Sequence, residues 1–319
     1  MSVPSRPKRI LVFGGTGTAG QAAVRALLEA GYDVTCFMRP RREGALPHGA
    51  VAVTGSLEDV RAAFAQPVDA VMSCLASRTG APDDAWAIEL NAHLRILNAA
   101  QEAGVAQFIQ LSAICVQRPK LAFQQAKLAF EEALIGSDLT YSIVRPTAFF
   151  KSLSGQLARV QAGKPFLVFG DGLLTSCKPI SDDDLGRFMA SCLTDPARYN
   201  RILPIGGPGP AVTPLDQGHA LFRMLGQTPR FRHVPVAMLD VIIAGLGLGG
   251  KLSSKLAAKA DLARIGRYYA TESMLVWDEA AGQYNAEATP EFGTETLFDF
   301  YEKLLSGDER ADLGEHAVF

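Results

Sequence analysis

The sequence predicts an α/β fold, with a doubly wound parallel sheet over the first half and a smaller, mainly helical region toward the C-terminus. Three observations carry this prediction. Short β-branched runs alternate with helix-period segments through about the first 145 residues. The runs are nearly continuous in apolar residues, as strands covered on both faces require. The first of them leads straight into a glycine-rich turn and then an amphipathic segment.

Taken in order, strands are expected at about 9–13, 33–38, 50–54, 70–74, 107–111 and 140–144. Helices are expected between them at about 18–30, 57–64, 84–103 and 120–135. Such alternation implies parallel strands joined by right-handed crossovers. Within 84–103, Ala87, Leu90, Leu94, Leu97 and Ala100 recur at helical spacing and are expected to form the buried stripe. After Arg145-Pro146 the rhythm changes. A helix is expected at 149–162, a strand at 167–169 ended by Gly170-Asp171-Gly172, and a helix start capped by Ser181 with Asp184 three residues on. One more strand at 201–205 precedes a Gly/Pro loop, and from about residue 212 the pattern is mostly helical.

Composition narrows the class. With 319 residues, 48% of them hydrophobic and 20% charged, the chain is neither disordered nor fibrous. Its 31 Lys+Arg against 33 Asp+Glu give a net charge of -2, which argues against nucleic acid as a partner. Five scattered Cys without a C-x-x-C pair exclude a zinc ribbon or a small disulfide scaffold and suggest a reducing compartment. No metal site is expected. The apolar stretch at 234–250 contains Pro235, Asp240 and four Gly, and falls short of the ~18 clean apolar residues of a membrane span. The first nine residues offer no apolar core for a signal peptide, so a soluble protein is expected.

The turn after the first strand reads Gly14-Gly15-Thr16-Gly17-Thr18-Ala19-Gly20. Glycine is needed where the turn takes positive φ and where a Cβ would hold a pyrophosphate away; the last one lets helix and strand pack closely. The helix N-terminus then offers N–H groups to the phosphates. Between a strand and a helix this is the NAD(P)-binding Rossmann pattern, with Gly14, Thr16, Gly17, Thr18 and Gly20 as candidate cofactor contacts. The alternative is a glycine turn without a ligand. Where an NAD enzyme usually carries an acid after the second strand, this chain has Arg39-Pro40-Arg41-Arg42. Guanidinium groups bind a 2′-phosphate bidentately, so NADPH is the expected cofactor, with Arg39 and Arg42 as contacts; the alternative is a solvated basic loop. The expected organisation is a dinucleotide-binding domain over 1–147, with 178–205 returning to it, and a discontinuous substrate-binding region over 148–177 and 206–319.

The fifth strand ends at Leu111-Ser112-Ala113, and the next helix carries Phe123-Gln124-Gln125-Ala126-Lys127. This layout resembles the short-chain dehydrogenase/reductase superfamily, in which a Ser ends that strand and Tyr-x-x-x-Lys follows. Ser112 and Lys127 match, but Phe123 stands at the Tyr position, which puts ordinary alcohol–ketone chemistry in doubt. Phe123, Lys127, Phe130 and Leu134 share one helix face. A Lys in such a stripe needs a partner or cofactor, unless it snorkels to the surface. Ser112 reads equally well as a plain strand-end serine. An unpaired Lys127 facing a cleft leads to the expectation that Lys127→Met lowers turnover or NADPH affinity roughly ten- to a hundredfold without changing stability in the absence of cofactor.

The segment Val144-Arg145-Pro146-Thr147-Ala148-Phe149-Phe150-Lys151-Ser152-Leu153-Ser154-Gly155-Gln156 continues into Lys164-Pro165-Phe166-Leu167-Val168-Phe169-Gly170-Asp171-Gly172 and Cys177-Lys178-Pro179-Ile180-Ser181. With Leu111-Ser112-Ala113-Ile114-Cys115-Val116 upstream and Phe292-Gly293-Thr294-Glu295-Thr296-Leu297-Phe298-Asp299-Phe300-Tyr301 downstream, it resembles the NADPH-dependent divinyl chlorophyllide 8-vinyl reductases, atypical short-chain superfamily members. The resemblance implies reduction of a vinyl group on a tetrapyrrole, in chlorophyll or bacteriochlorophyll biosynthesis. It also accounts for Phe123, since hydride addition to a vinyl group conjugated with a macrocycle needs no phenol at a carbonyl oxygen. Lys127 and Ser112 are then the catalytic candidates, with Cys115, Phe123, Phe149 and Phe150 at the substrate; core packing is an equal alternative for Phe149 and Phe150. The proton donor is open among Lys127, Ser112, Cys115 and solvent. A bacterial cytoplasmic form is expected. The basic segment 251–267 suits contact with an anionic membrane or a solvated helix face. The other readings of such a chain are an NADP-binding redox sensor and a non-catalytic assembly protein.

Overall fold

The computed structural model describes residues 8–40, 46–250 and 253–309. The chain divides into two compact units. The first comprises Met1–Ser77, Pro82–Pro146 and Asp182–Pro204, the second Arg78–Ala81, Thr147–Ser181 and Ile205–Phe319.

In the first unit the elements run β1 (Arg9–Phe13), α1 (Thr18–Glu29), β2 (Asp33–Met38), β3 (Val51–Thr54), β4 (Ala70–Ser73), α2 (Pro82–Ala85), α3 (His93–Glu102), β5 (Gln107–Leu111), α4 (Ala122–Ile135) and β6 (Thr140–Pro146). After an excursion through the second unit the chain returns as α6 (Asp182–Ser191) and β8 (Arg201–Ile205), α5 lying in the excursion at Leu157–Gln161 and β7 at Phe166–Phe169. The sheet order is β3-β2-β1-β4-β5-β6-β8, and the first six strands pair in parallel. This is the doubly wound arrangement, with the order reversing beside β1. Phe13 lies opposite Phe37 on one side and Ser73 on the other, so β1, β2 and β4 end at the same edge. β4 and β5 are buried throughout. One core cluster joins Leu11, Phe13, Val71, Ile96, Phe108 and Phe130.

Two first-unit helices differ from expectation. Only Arg61–Phe64 is helical within 57–64, as a 3₁₀ turn with Val60 and Ala63 as its buried anchors. Asp59 accepts the Arg61 N–H and holds the chain in a tight turn instead of an α-helix. More consequentially, the helix expected at 84–103 is interrupted by a π-helical segment, Trp86–Ala92, between α2 and α3. The wider turn rotates the face presented to the core. Ala87 is therefore exposed, while Glu89, Ala92 and His93 are buried.

The second unit holds a core of Phe150, Leu157, Val160, Phe166, Val168, Leu221, Phe222, Leu297, Phe300 and Tyr301. Its further elements are α7 (Pro214–Met224), β9 (Phe231–Val234), α8 (Val236–Gly250), α9 (Ser254–Thr271), β10 (Val276–Asp278), β11 (Gln283–Asn285) and α10 (Leu297–Ser306). β7 pairs with β9 in parallel, and β10 with β11 as a hairpin. The helix expected at 149–162 is instead a 3₁₀ turn, Lys151–Leu153, and the short α5. The Ser154 hydroxyl donates to the Phe150 carbonyl at 2.8 Å, a local side-chain bond that closes the first turn before α5 begins.

Candidate active site

The glycine turn connects β1 to α1, with Gly17 as the helix N-cap. Gly14 has φ 79°, and a Cβ there would stand 2.6 Å from the backbone of Cys74 and Leu75. Gly20 is packed against the loop itself, since a Cβ would fall 2.1 Å from the Gly14 carbonyl oxygen. By contrast, a Cβ on Gly17 would have only the Gly14 oxygen near it, at 3.6 Å. Gly17 and Thr18 are exposed and Thr16 is half-buried. No side chain caps α1, and its first turn carries no acid. Backbone N–H groups at an acid-free helix start suit a pyrophosphate, so the residues present fit a dinucleotide. Arg39 is exposed, one residue beyond β2 at the same sheet edge as this turn. Arg42 lies outside the described residues.

Lys127 lies on α4 in the expected stripe, in which Phe123, Lys127, Phe130 and Leu134 are all buried. It is not the unpaired lysine expected from the sequence. Its Nζ donates to Glu89 Oε2 at 2.7 Å, with side-chain exposures of 9% and 2%, so both charges are out of water. Glu89 Oε1 accepts from the N–H and the hydroxyl of Ser77, both at 2.8 Å. Burial pushes the Glu89 carboxyl up, but the Lys127 charge and the bonds from Lys127 and Ser77 outweigh it and hold the group below its ordinary value. The expectation that Lys127→Met would leave stability untouched is thereby overturned, because the substitution would strand a buried carboxylate.

Ser112 belongs to a second cluster. Its hydroxyl donates to Glu131 Oε1, and Glu131 is also held by Arg145, through Nε at 3.2 Å and through a second guanidinium nitrogen. Glu131 is 2% exposed, so this carboxylate is balanced by Arg145 and uses the serine as a further donor. The structure commits the Ser112 hydroxyl to a carboxylate. Cys115, on a 3₁₀ turn after β5, and Phe123 are buried in the first unit. In the second unit Phe149 is half-buried, and Phe150 is buried with its ring 5.5 Å from that of Phe300, a core position. Among the described residues no cluster could hold a metal ion.

The sequence reading missed Glu89 and Glu131. Lys127 in an apolar stripe signalled that an acid or a cofactor must meet it, but the α-helical period placed Glu89 off the buried face. Beside Glu89, His93 is fully buried. Its Nδ1 donates to the Ile88 carbonyl and its Nε2 accepts from the Ser73 hydroxyl, both at 2.8 Å, which fixes a neutral tautomer. Burial pushes its pKa down to about 4. The unfolded chain therefore binds a proton that the native state refuses, and stability falls as pH drops from about 6.5 toward 4. From this residue alone, urea unfolding at pH 5 should give about 2 kcal/mol less stability than at pH 7. His93→Gln should flatten that part of the profile, and an unchanged slope would show that His93 charges at no cost.

The fold and the glycine turn define the class, a nicotinamide-dinucleotide-binding α/β protein, and a family model described as NAD(P)H-binding matches residues 14–196. The chain is 44% identical to the chloroplastic divinyl chlorophyllide a 8-vinyl-reductase of Oryza sativa subsp. indica, over 97% of this chain and 82% of that protein. It is 41% identical to the enzyme of that name from Arabidopsis thaliana, over 96% of this chain and 79% of that protein. The chain belongs to the divinyl chlorophyllide a 8-vinyl-reductase family. Among solved structures, UDP-glucose 4-epimerase from Thermotoga maritima matches with a TM-score of 0.68 at 18% identity, covering 94% of this chain and 100% of that one, a likeness of fold. These plant relatives are chloroplastic, which overturns the expectation of a bacterial cytoplasmic protein.

Proposed function

We propose that this chain reduces the 8-vinyl group of divinyl chlorophyllide to an ethyl group with NADPH. The observation that carries the proposal is its 44% identity over 97% of the chain to a reductase of that name. When bound, the nicotinamide supplies the hydride. The electron pair left by addition to the terminal vinyl carbon spreads into the macrocycle, and a proton completes the ethyl group. No oxygen anion forms, so a phenylalanine at position 123 costs the reaction nothing. This supports vinyl reduction over carbonyl chemistry.

The first unit takes the dinucleotide and the second takes the macrocycle. Gly14, Thr16, Gly17, Thr18 and Gly20 hold the pyrophosphate on the start of α1. Lys127 would bond the nicotinamide ribose and fix the ring, and its bond to Glu89 aims the ammonium. In the second unit Phe149 supplies apolar surface for the pigment. Phe150 supports that unit through its place in the core. The direct test is incubation with NADPH and divinyl chlorophyllide, followed by pigment chromatography. Conversion to the monovinyl pigment is expected. Folded protein that binds NADPH without converting the pigment would make the chain a sensor or assembly protein.

Arg39 and Arg42 favour the 2′-phosphate of NADPH. NADPH should bind at least about tenfold more tightly than NADH, a difference of ~1.4 kcal/mol. Arg39→Asp should remove most of that preference by placing a carboxylate where the phosphate binds. Fluorescence titration measures both constants, and equal affinities in the unmodified protein would rule out the assignment.

A further inference from the structure

α8 and α9 pack together as a helical hairpin in the second unit, and α8 has no buried residue. Met238, Val241, Ile242 and Leu248 are 47%, 72%, 41% and 69% exposed. Ala237, Ala244 and Gly245 are exposed beside them, so one uncharged stripe runs the length of the helix. Leu173 and Leu174 are a further exposed apolar pair of this unit. They follow Gly170, whose N–H bonds the Val234 carbonyl two residues before α8 starts, and they are 58% and 49% exposed. On α9 the exposed face carries Lys255, Ala258, Lys259, Leu262 and Tyr269. Both acids of the hairpin are neutralised in place, Asp240 by Arg267 and Asp261 by Arg264. Lys255 and Lys259 make no ion pair among the described residues.

We infer that this hairpin docks on an anionic lipid surface. An uncharged stripe beside uncompensated lysines matches an interfacial helix, whose apolar face enters the acyl boundary while its basic residues meet lipid headgroups. Protein interfaces are instead depleted in lysine and enriched in arginine and aromatic residues. The hairpin lies on the surface without spanning it. The fifteen residues of α8 extend about 22 Å, short of the ~30 Å hydrocarbon core, and no described helix is long and apolar enough to cross a membrane.

The test is co-sedimentation of the full chain with vesicles of phosphatidylcholine alone and of phosphatidylcholine mixed with phosphatidylglycerol. Binding to the anionic vesicles should be at least about tenfold stronger and should weaken as salt is raised. The double variant Lys255→Gln with Lys259→Gln should lose about tenfold or more of that binding. Val241→Asp with Leu248→Asp should abolish it. Both pairs are at the surface, so NADPH titration should report unchanged binding and folding. Equal binding to the two vesicle types, or variants that sediment like the parent, would overturn the inference. So would a concentration-dependent dimer in sedimentation velocity that Val241→Asp dissolves, since that assigns the stripe to a second copy of the chain.

Discussion

Replacing Glu89 by alanine should cost the protein about 3–5 kcal/mol of stability, because it leaves the Lys127 ammonium buried with no counter-charge. That corresponds to a fall in Tm on the order of 10 °C. Lys127→Met should be similarly harmful from the other side, stranding the Glu89 carboxylate. Glu89→Gln with Lys127→Met removes both charges while keeping the shape of the site. This pair should recover most of the stability, since replacing a whole buried ion pair is often neutral. Turnover should behave differently. If Lys127 holds the nicotinamide ribose, all three variants should lose it by roughly a hundredfold, and the stable double variant should not regain it. Recovery of stability without recovery of activity separates the two roles of the lysine. If Glu89→Ala melted like the parent protein, the ion pair would contribute nothing. If the double variant turned over normally, Lys127 would be structural only. pH bears on the same pair. Glu89 is held below its ordinary value, so the stability it contributes is present above the ordinary carboxylate range and is lost as pH falls through the lowered native value.

What was legible in the sequence was whatever repeats with a period. β1, β2 and β5 fall where the apolar runs lie because the middle of the sheet is covered on both faces, whereas the edge strand β3 is largely exposed. The stripe Phe123-Lys127-Phe130-Leu134 was legible because α4 is regular. The π-helical segment was not, since nothing in Trp86–Ala92 breaks the α-helical period of its apolar residues. It changes which residues face inward, and among those buried there with Ala92 are two polar ones, Glu89 and His93. A hydrophobic-period argument gives such positions to solvent. Yet they supply the counter-charge for Lys127 and a bond to Ser73 at the end of β4. Glu131 was hidden too, one turn beyond Lys127 among the apolar residues of α4, and its partner Arg145 lies on β6. Local pattern finds backbone architecture. Buried charge pairs join residues far apart in the chain, so only the tertiary structure reveals them. Lys127 itself carried the one usable hint, a charge in a place where water is absent.

Gly20→Ala should abolish useful NADPH binding, lowering affinity by at least about a hundredfold, or ~2.7 kcal/mol. The added methyl would sit 2.1 Å from the Gly14 carbonyl oxygen and 2.9 Å from its carbon, both backbone atoms. No rotamer change relieves such a clash, so α1 must move away from the turn that it closes. It cannot retreat freely, because α6 is seated on its other side. A Cβ on Gly186 would lie 2.5 Å from the Ala22 oxygen, so the two backbones are already close there. The turn must then deform, and the N–H groups that would receive the pyrophosphate lose their alignment. Gly17→Ala is the informative companion. Its φ of -78° suits alanine, and its Cβ would meet only the Gly14 oxygen at an ordinary 3.6 Å, so the protein without cofactor should keep its Tm. Any loss of NADPH affinity in Gly17→Ala then reports contact between the turn and the cofactor, free of a folding defect. Saturating NADPH should raise the Tm of the unmodified protein through mass action and leave that of Gly20→Ala unchanged. An alanine at position 20 that bound NADPH like the parent would mean that the dinucleotide does not rest on this turn. The cofactor contacts at Gly14, Thr16, Gly17 and Thr18 would then fall with it.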